Sequence, residues 1–596
     1  MYNFNISAKN TWTSLLLSVV MLSSCTSDFL STNTDPNAAN EEDLLHDNLG
    51  MGSLITQMEY QIYPCVTKAQ NVDVNNYQKM YSLAGDIFSG FMGVSNTFDN
   101  SGMNNATYKM EPRWCNAAYS VAYQNYMIPW YRLSLKKELV PTTFAVGQIL
   151  KVLGMHRITD MYGPIPYKDF KPSSDVAFTA QNEIYDLFFS ELDEAAAILA
   201  DFVKTNPDAR PLAAYDKVYA GDFTKWIKLA HSLKLRLAMR IVYADAAKAQ
   251  AKAEEAIRAG VMEGNDDNAL IRVNGASTVN PLYMICHSYN DSRLGATLET
   301  YLKGYKDPRL GLLFEPSEVS GTKDYNGVRT GIYMTGNEYK VCSKLNVTAS
   351  TPIQLMTAAE VYFLKAEAAL RGWQAGGSAQ QLYEQGVRTA FDQPLGASQA
   401  KAGSADEYLK GTTTPVPYKD LLDSYNSVAT FGHCSVAWNH HVQVDDNEGD
   451  DEGDDEGGDD PGDYPDDGGN PDDGDDDGGI DDGGEITPAM LSFGGADSEE
   501  LLEKIITQKY IALYPDGQEA WSEFRRTGYP RVIPVDMNMS MGSIDSKKQV
   551  ARLPYPVNIK SDFPASYQHG LSLLQGADNG GTKLWWDKKA DKKYQK

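Results

Sequence analysis

The sequence predicts a mainly α protein, in which irregular tetratricopeptide-like helical hairpins form a scaffold with long loops and a few short strands. Three observations carry this expectation. Asp222–Tyr243 places apolar residues at 223, 226, 227, 230, 233, 237, 238 and 241, the period of a half-buried helix. Thr357–Arg371 opens with Thr357 as N-cap and Glu360 three residues on, and Gly372 stands at its end. Ser378 with Gln381 repeats the device for a partner helix running to about Phe391. Two capped helices joined by a short Gly-rich turn make an α-hairpin. Similar helical runs recur along the chain, but without the strict period of about 34 residues that regular repeats keep.

In order, residues 1–24 read as a signal peptide. Lys9 is the one charge, Trp12–Leu22 is an apolar run too short to span a bilayer, and Leu22-Ser23-Ser24-Cys25 is similar to a lipobox cut before Cys25. Residues 25–40 form a polar tether on a lipidated Cys25, and no other run approaches the ~18 apolar residues of a membrane-spanning helix. Helices are expected at Glu41–Tyr63, Asn75–Phe91, Trp114–Leu135, Thr142–Thr159, Asn182–Phe202, Asp222–Tyr243 and Ala246–Ala259. Asp222 stands as an N-cap, and Lys228, Arg236 and Arg240 fall on the polar side of their helix. Gly90–Pro112 is rich in Gly, Asn, Ser and Thr and reads as a long loop, the kind that is usually functional in a compact protein. Residues 261–350 are mixed, and helical patterning returns at Thr357–Phe391, Ser498–Leu513 and Glu519–Arg526.

The net charge is −27, of which 22 negative charges lie between Asp445 and Glu485, leaving −5 for the remainder. The acidity is therefore an inserted block of Asp, Glu, Gly and Pro, which reads as a disordered loop because it has no apolar groups to offset the entropy of ordering. An acidic chain disfavours nucleic acid as a partner. Six cysteines occur without a C-x-x-C pair. A Cys65–Cys115 bridge stays open, with buried free thiols the favoured reading.

Several segments carry a resemblance. They are Trp226-Ile227-Lys228-Leu229-Ala230-His231-Ser232-Leu233-Lys234-Leu235-Arg236-Leu237-Ala238-Met239-Arg240-Ile241, the turn Asp160–Tyr167, and Asp307-Pro308-Arg309. Gln518–Pro530, Arg552–Pro556 and Leu584–Asp587 continue the series. Together they resemble the SusD/RagB family of outer-membrane nutrient-binding lipoproteins. The resemblance implies a single domain over 41–596 with the acidic block inside it. It also implies a surface-exposed, lipid-anchored place on the outer membrane, no cofactor and no catalysis. The expected partner is a SusC-like TonB-dependent transporter, and the expected ligand an oligosaccharide, with a peptide as the alternative within the family.

No G-x-S-x-G, H-E-x-x-H, G-x-x-x-x-G-K-[ST] or G-x-G-x-x-G motif occurs. A glycosidase-type carboxylate pair is not decided by sequence, so a surface glycan-processing enzyme is the rival reading. His440-His441 reads as surface loop. Asp473, Asp475 and Asp477 match the opening of a calcium loop, but position twelve is Gly484 and no helix precedes them, so no metal site is assigned. Trp114, Trp226, Trp521, Trp585 and Trp586 read as core. The candidate ligand contacts lie in irregular stretches: Phe98, Asn104, Asn105 and Tyr108 in the 90–112 loop, and Tyr289, Asn290 and Arg293 in the 281–294 segment.

Overall fold

A computed structural model describes residues 49–67, 72–98, 103–172, 175–319, 321, 323–426, 434–441, 496–546, 548–590 and 592. Cys25, the tether and the acidic block with Asp473, Asp475 and Asp477 lie outside the described residues. The N-terminal half contains α1 (Leu49–Ile62), α2 (Val72–Tyr77), α3 (Asp86–Phe88), β1 (Met92–Val94), α4 (Pro112–Cys115), α5 (Ala117–Ala122), α6 (Ile128–Ser134) and α7 (Pro141–Tyr162). It continues with β2 (Ile165–Pro166), β3 (Phe178–Thr179), α8 (Gln181–Thr205), α9 (Phe223–Arg240) and α10 (Ala246–Ala259). Then come β4 (Ala269–Ile271), α11 (Pro281–Tyr283), β5 (Ser292–Leu294), α12 (Ala296–Gly304), α13 (Leu310–Leu313), β6 (Ile353–Met356), α14 (Ala358–Leu370) and α15 (Ala379–Phe391). The C-terminal part has α16 (Ala496–Leu513), α17 (Gly517–Thr527), α18 (Val557–Asp562) and α19 (Pro564–Leu574).

The architecture is mainly α, as expected. Consecutive long helices α7, α8, α9 and α10 pack each on the next, and α14 packs on α15 and α16. The strands form three two-stranded antiparallel ribbons, β1–β5, β2–β3 and β4–β6. Local chemistry explains the boundaries. The Asp222 carboxylate accepts from Thr224 N to start α9, and Asp245 does the same for α10 through Lys248 N. Ser378 and Gln381 make the full reciprocal capping box at α15. At α14 only half of the expected box forms. Thr357 accepts from Glu360 N, but the Glu360 carboxylate turns away to Arg236.

Two expected single helices are composite. Asn75–Phe91 is α2, a π-helical turn at Gln78–Gly85 and α3, while Trp114–Leu135 contains a π-turn at Tyr123–Met127. A π-turn inserts a residue into the helical ladder, which hydrophobic periodicity alone does not report.

The largest departure from the sequence reading is in α9. Arg236 and Arg240, placed on a polar face, are 1 % and 0 % exposed. Arg236 donates from Nε and Nη2 to both carboxylate oxygens of Glu360, at 2.7 and 2.6 Å. Arg240 donates to Glu523 at 2.7 Å and to Glu519, with Asp160 at 3.4 Å. Arg157 of α7 clamps Asp516 with two bonds of 2.7 Å, and Arg526 bridges Glu367 and Glu523. The core is therefore stitched by bidentate ion pairs joining α7, α9, α14 and α17. Lys228 alone of the three cations stays half-exposed, paired with Asp267 at 2.9 Å. Cys65, Cys115, Cys286, Cys342 and Cys434 are all buried and free.

Candidate functional site

The two irregular segments singled out from the sequence meet in space. β1 and β5 pair antiparallel, with Met92 opposite Leu294, Gly93 opposite Arg293 and Val94 opposite Ser292. Beyond the ribbon, Ser95 N donates to Asp291 O at 3.0 Å, Ser95 Oγ to Asn290 O at 2.9 Å and Asn96 Nδ2 to Asp291 Oδ1 at 2.6 Å. Gln78 Nε2, from the π-turn, donates to the other Asp291 oxygen at 2.7 Å. Gly93 is required here: a Cβ would lie 2.3 Å from the Val328 carbonyl oxygen. Three chain segments are thus locked together by Asp291 and one ribbon.

Beside this junction lies an open cleft of about 580 Å³ of empty space, solvent included, lined by Lys79, Phe98, Met103, Asn104, Glu111, Arg113 and Trp114. Phe98 and Trp114 meet edge to face, with ring centroids 5.2 Å apart and planes at 71°. Both rings are half-buried, so apolar surface faces the cleft. Phe98 holds a φ of +50°, a conformation that costs a bulky residue free energy and persists only where surroundings enforce it. Asn96 helps to enforce it, its Oδ1 accepting from Phe98 N at 3.0 Å.

Among the predicted contacts, Phe98 and Asn104 line the cleft. Asn104 is 5 % exposed and its Oδ1 accepts from Ala106 N at 2.9 Å, capping the short turn Asn105–Thr107. Asn105, Tyr108 and Arg293 point inward instead, and their polar groups are used by the protein. Asn105 Nδ2 donates to Leu83 O at 2.9 Å and its Oδ1 accepts from Glu111 N at 2.8 Å, which ties the π-turn to the start of α4. Tyr108 is 2 % exposed at φ +63°, its hydroxyl donating to Gln549 Oε1 at 3.0 Å, and burial pushes its phenol pKa up. Arg293 is fully buried, donating to the carbonyls of Lys340, Cys286 and Ser292 and to Asn290 Oδ1 at 3.1 Å. Asn290 is thereby turned toward Arg293, and Tyr289 packs partly buried against the core.

The sequence reading missed Trp114, Lys79, Glu111 and Arg113. Trp114 reads as core and does pack partly buried against it, but from the four-residue α4 it also lines the cleft. The signal available was Glu111-Pro112, an N-cap followed by proline at the first helical position, directly after the loop. Trp226, Trp521 and Trp586 are fully buried, and Trp585 is partly buried against the core. His441 is exposed beside Glu500 at 2.8 Å, and His440 Nδ1 meets Ser435 Oγ. Among the described residues no three His, Cys, Asp or Glu side chains are grouped to hold a metal ion.

A helical-hairpin scaffold carrying a surface cleft beside an irregular loop defines a class of helical scaffold proteins with an aromatic-lined depression. The chain belongs to the SusD-like family: the family described as Susd and RagB outer membrane lipoprotein matches residues 31–449 and 481–587. The unmatched stretch between these falls inside the acidic block. Among solved structures, a chitin-binding SusD homolog from Flavobacterium johnsoniae superposes with a TM-score of 0.76 at 34% identity, covering 91% of this chain and 99% of that one. A SusD homolog from Bacteroides vulgatus gives 0.75 at 31% identity, covering 91% and 98%. One from Bacteroides thetaiotaomicron gives 0.73 at 32%, covering 91% and 99%. The comparison with curated proteins finds no match. No described helix is long and apolar enough to cross a membrane.

Proposed function

We propose that this chain is a surface lipoprotein that binds an oligosaccharide at the Phe98–Trp114 cleft and delivers it to a SusC-like TonB-dependent transporter in the outer membrane. The observation that carries the reading is the half-buried aromatic pair at the mouth of a cleft rimmed by amide and charged groups. Aromatic faces suit the apolar faces of sugar rings, and the rim suits their hydroxyls. The chitin-binding neighbour makes N-acetylated amino sugars the first ligands to try. Glu111 is the single carboxylate among the described residues lining the cleft.

Phe98→Ala combined with Trp114→Ala is expected to weaken chitohexaose binding at least about tenfold, since each lost ring–ligand contact is worth roughly 1 kcal/mol or more. Helical content should be unchanged. Calorimetry against a glycan panel and a peptide panel checks this. Wild-type-like glycan affinity in the double variant would move the site elsewhere, and binding of peptides alone would replace the sugar reading by the peptide one. Tyr108 is unsuited to this test because its removal would open the loop's interior.

The anchor is tested separately. Cys25→Ala is expected to release the protein from membrane fractions while its melting curve stays the same. A variant that still sediments with membranes after a salt wash would refute lipidation at Cys25.

A further inference from the structure

The binding surface continues past the cleft. Asn104, which lines it, also lines a second depression of about 250 Å³ of empty space, solvent included, shared with Val94, Ala106, Gly331, Ile332 and Met334 among others. That volume is below the ~300–1,000 Å³ of small-molecule sites, so it suits one end of a ligand and not a whole one. The two depressions are fastened side by side. Val94 lies on β1, the strand that leads to Phe98. Met537 N donates to Gly331 O and Met539 N to Thr107 O, both at 2.7 Å, so one stretch of chain holds both loops. Tyr333 stands at the edge of the second depression. Ile332 and Met334 are buried and line it, while Tyr333 between them is 44% exposed and projects outward. Its backbone is fixed: the Tyr425 hydroxyl donates to Tyr333 O at 3.2 Å, and Arg329 Nη1 donates to Tyr425 O at 3.1 Å. In the wall common to both depressions, Asn104 Oδ1 is used by Ala106 N, but Asn104 Nδ2 makes no hydrogen bond among the described residues. Water meets such a donor in the free protein, and a sugar oxygen can take the place of that water. None of these groups belongs to residues 99–102, which lie outside the described residues.

We propose that the ligand is a linear oligosaccharide longer than a disaccharide, laid from the Phe98–Trp114 pair across Asn104 to Tyr333. Asn104 Nδ2 donates to a sugar oxygen in mid-chain, and Tyr333 offers a second ring face at the far end. A disaccharide held by one aromatic station does not reach the other. This rests on the oligosaccharide reading above and adds a length requirement to it.

The test is calorimetry of the full-length protein with the disaccharide and the hexasaccharide of the chito, cello and malto series, and the readout is the ratio of the two Kd values within a series. A hexasaccharide offers a disaccharide site about five registers, which alone gives a ratio of about five. In the series that binds, the wild-type ratio is expected to reach about fifty, the further tenfold coming from the second ring contact. Tyr333→Ala should bring the ratio down to about five, and Tyr333→Phe, which keeps the ring face, should hold it near the wild-type value. Being a ratio, the readout is indifferent to a change in overall affinity. Asn104→Ser keeps an acceptor for Ala106 N but takes away the amide donor, and should weaken hexasaccharide binding roughly tenfold with helical content unchanged. A wild-type ratio near five, a raised ratio that survives Tyr333→Ala, or wild-type hexasaccharide affinity in Asn104→Ser overturns the path across Asn104 and leaves the oligosaccharide reading standing. Binding in none of the three series removes the oligosaccharide reading itself.

Discussion

Arg240→Met is expected to lower the unfolding free energy by about 3–5 kcal/mol, the usual result of removing one partner from a buried charge cluster. The guanidinium faces Glu519, Glu523 and Asp160 with no solvent access. Met fills similar volume but leaves three carboxylates to Arg236, Arg526, Lys509 and Arg525. Urea unfolding of the two proteins measures the loss, and a change below about 1 kcal/mol, the scale of an exposed pair, would show that the cluster is effectively solvated. The same cluster sets the acid limit. Burial opposes ionisation of Asp516, but the Arg157 guanidinium more than offsets it and holds the carboxyl below its ordinary value. Burial likewise opposes ionisation of Glu523, and Arg526, Lys509 and Arg240 hold it well below. For groups depressed in the folded state, stability is present above the unfolded carboxylate pKa of about 4 and is lost as pH falls through the folded values. Asp86 has the opposite sign. Burial first, then the nearby charge of Asp516, raises its pKa, so the stability it contributes is present at low pH and declines as pH rises through its folded value.

Trp226→Ala is expected to cost a further, independent sum of about 3–5 kcal/mol, the range for emptying a large aromatic from a packed core. Trp226 is fully buried, meets Tyr219 edge to face at 5.4 Å, and donates from Nε1 to Asp216 Oδ2 at 2.8 Å. Asp216 in turn accepts from the backbone N–H groups of Val218, Tyr219 and Gly221. The substitution removes both the ring and one partner of the carboxylate that shapes the turn into α9. Its effect should appear as a lower denaturation midpoint with ligand affinity unchanged at temperatures where the variant is folded. A selective loss of binding with normal stability would make Trp226 a site residue and contradict its place in the core.

These two residues show where sequence reasoning worked and where it stopped. Trp226 lies on a 3.6-residue apolar period, and period alone placed it inside. Arg236 and Arg240 lie off that period, and the same rule placed them outside. Their carboxylates come from α7, α14 and α17, far along the chain, and a helix read by itself does not reveal a partner 80 or more residues away. Caps were legible because they are local: Asp222, Thr357 and Ser378 satisfy N–H groups two or three residues on. The site followed the same division. Both irregular segments were identified by composition, but of the side chains lining the cleft only Phe98 and Asn104 were. Asn105 and Arg293 look like ligand-binding amide and cation in sequence, yet each is turned inward by carbonyls supplied elsewhere. Trp114 packs against the core as its sequence setting suggests, and that it also lines the cleft shows only once the shortness of α4 is known.

The buried thiols carry a consequence of their own. Burial raises Cys115, Cys342 and Cys434 to about 12, so at neutral pH each is held as unreactive thiol while its surroundings stay closed. They are spread across the chain, near α4, in the mixed middle segment and against α16. Their alkylation rates thus act as position-specific clocks of local opening, already installed by the sequence. An intact body is expected to keep all of them silent, and any segment that opens ahead of the rest announces itself by which cysteine is labelled first.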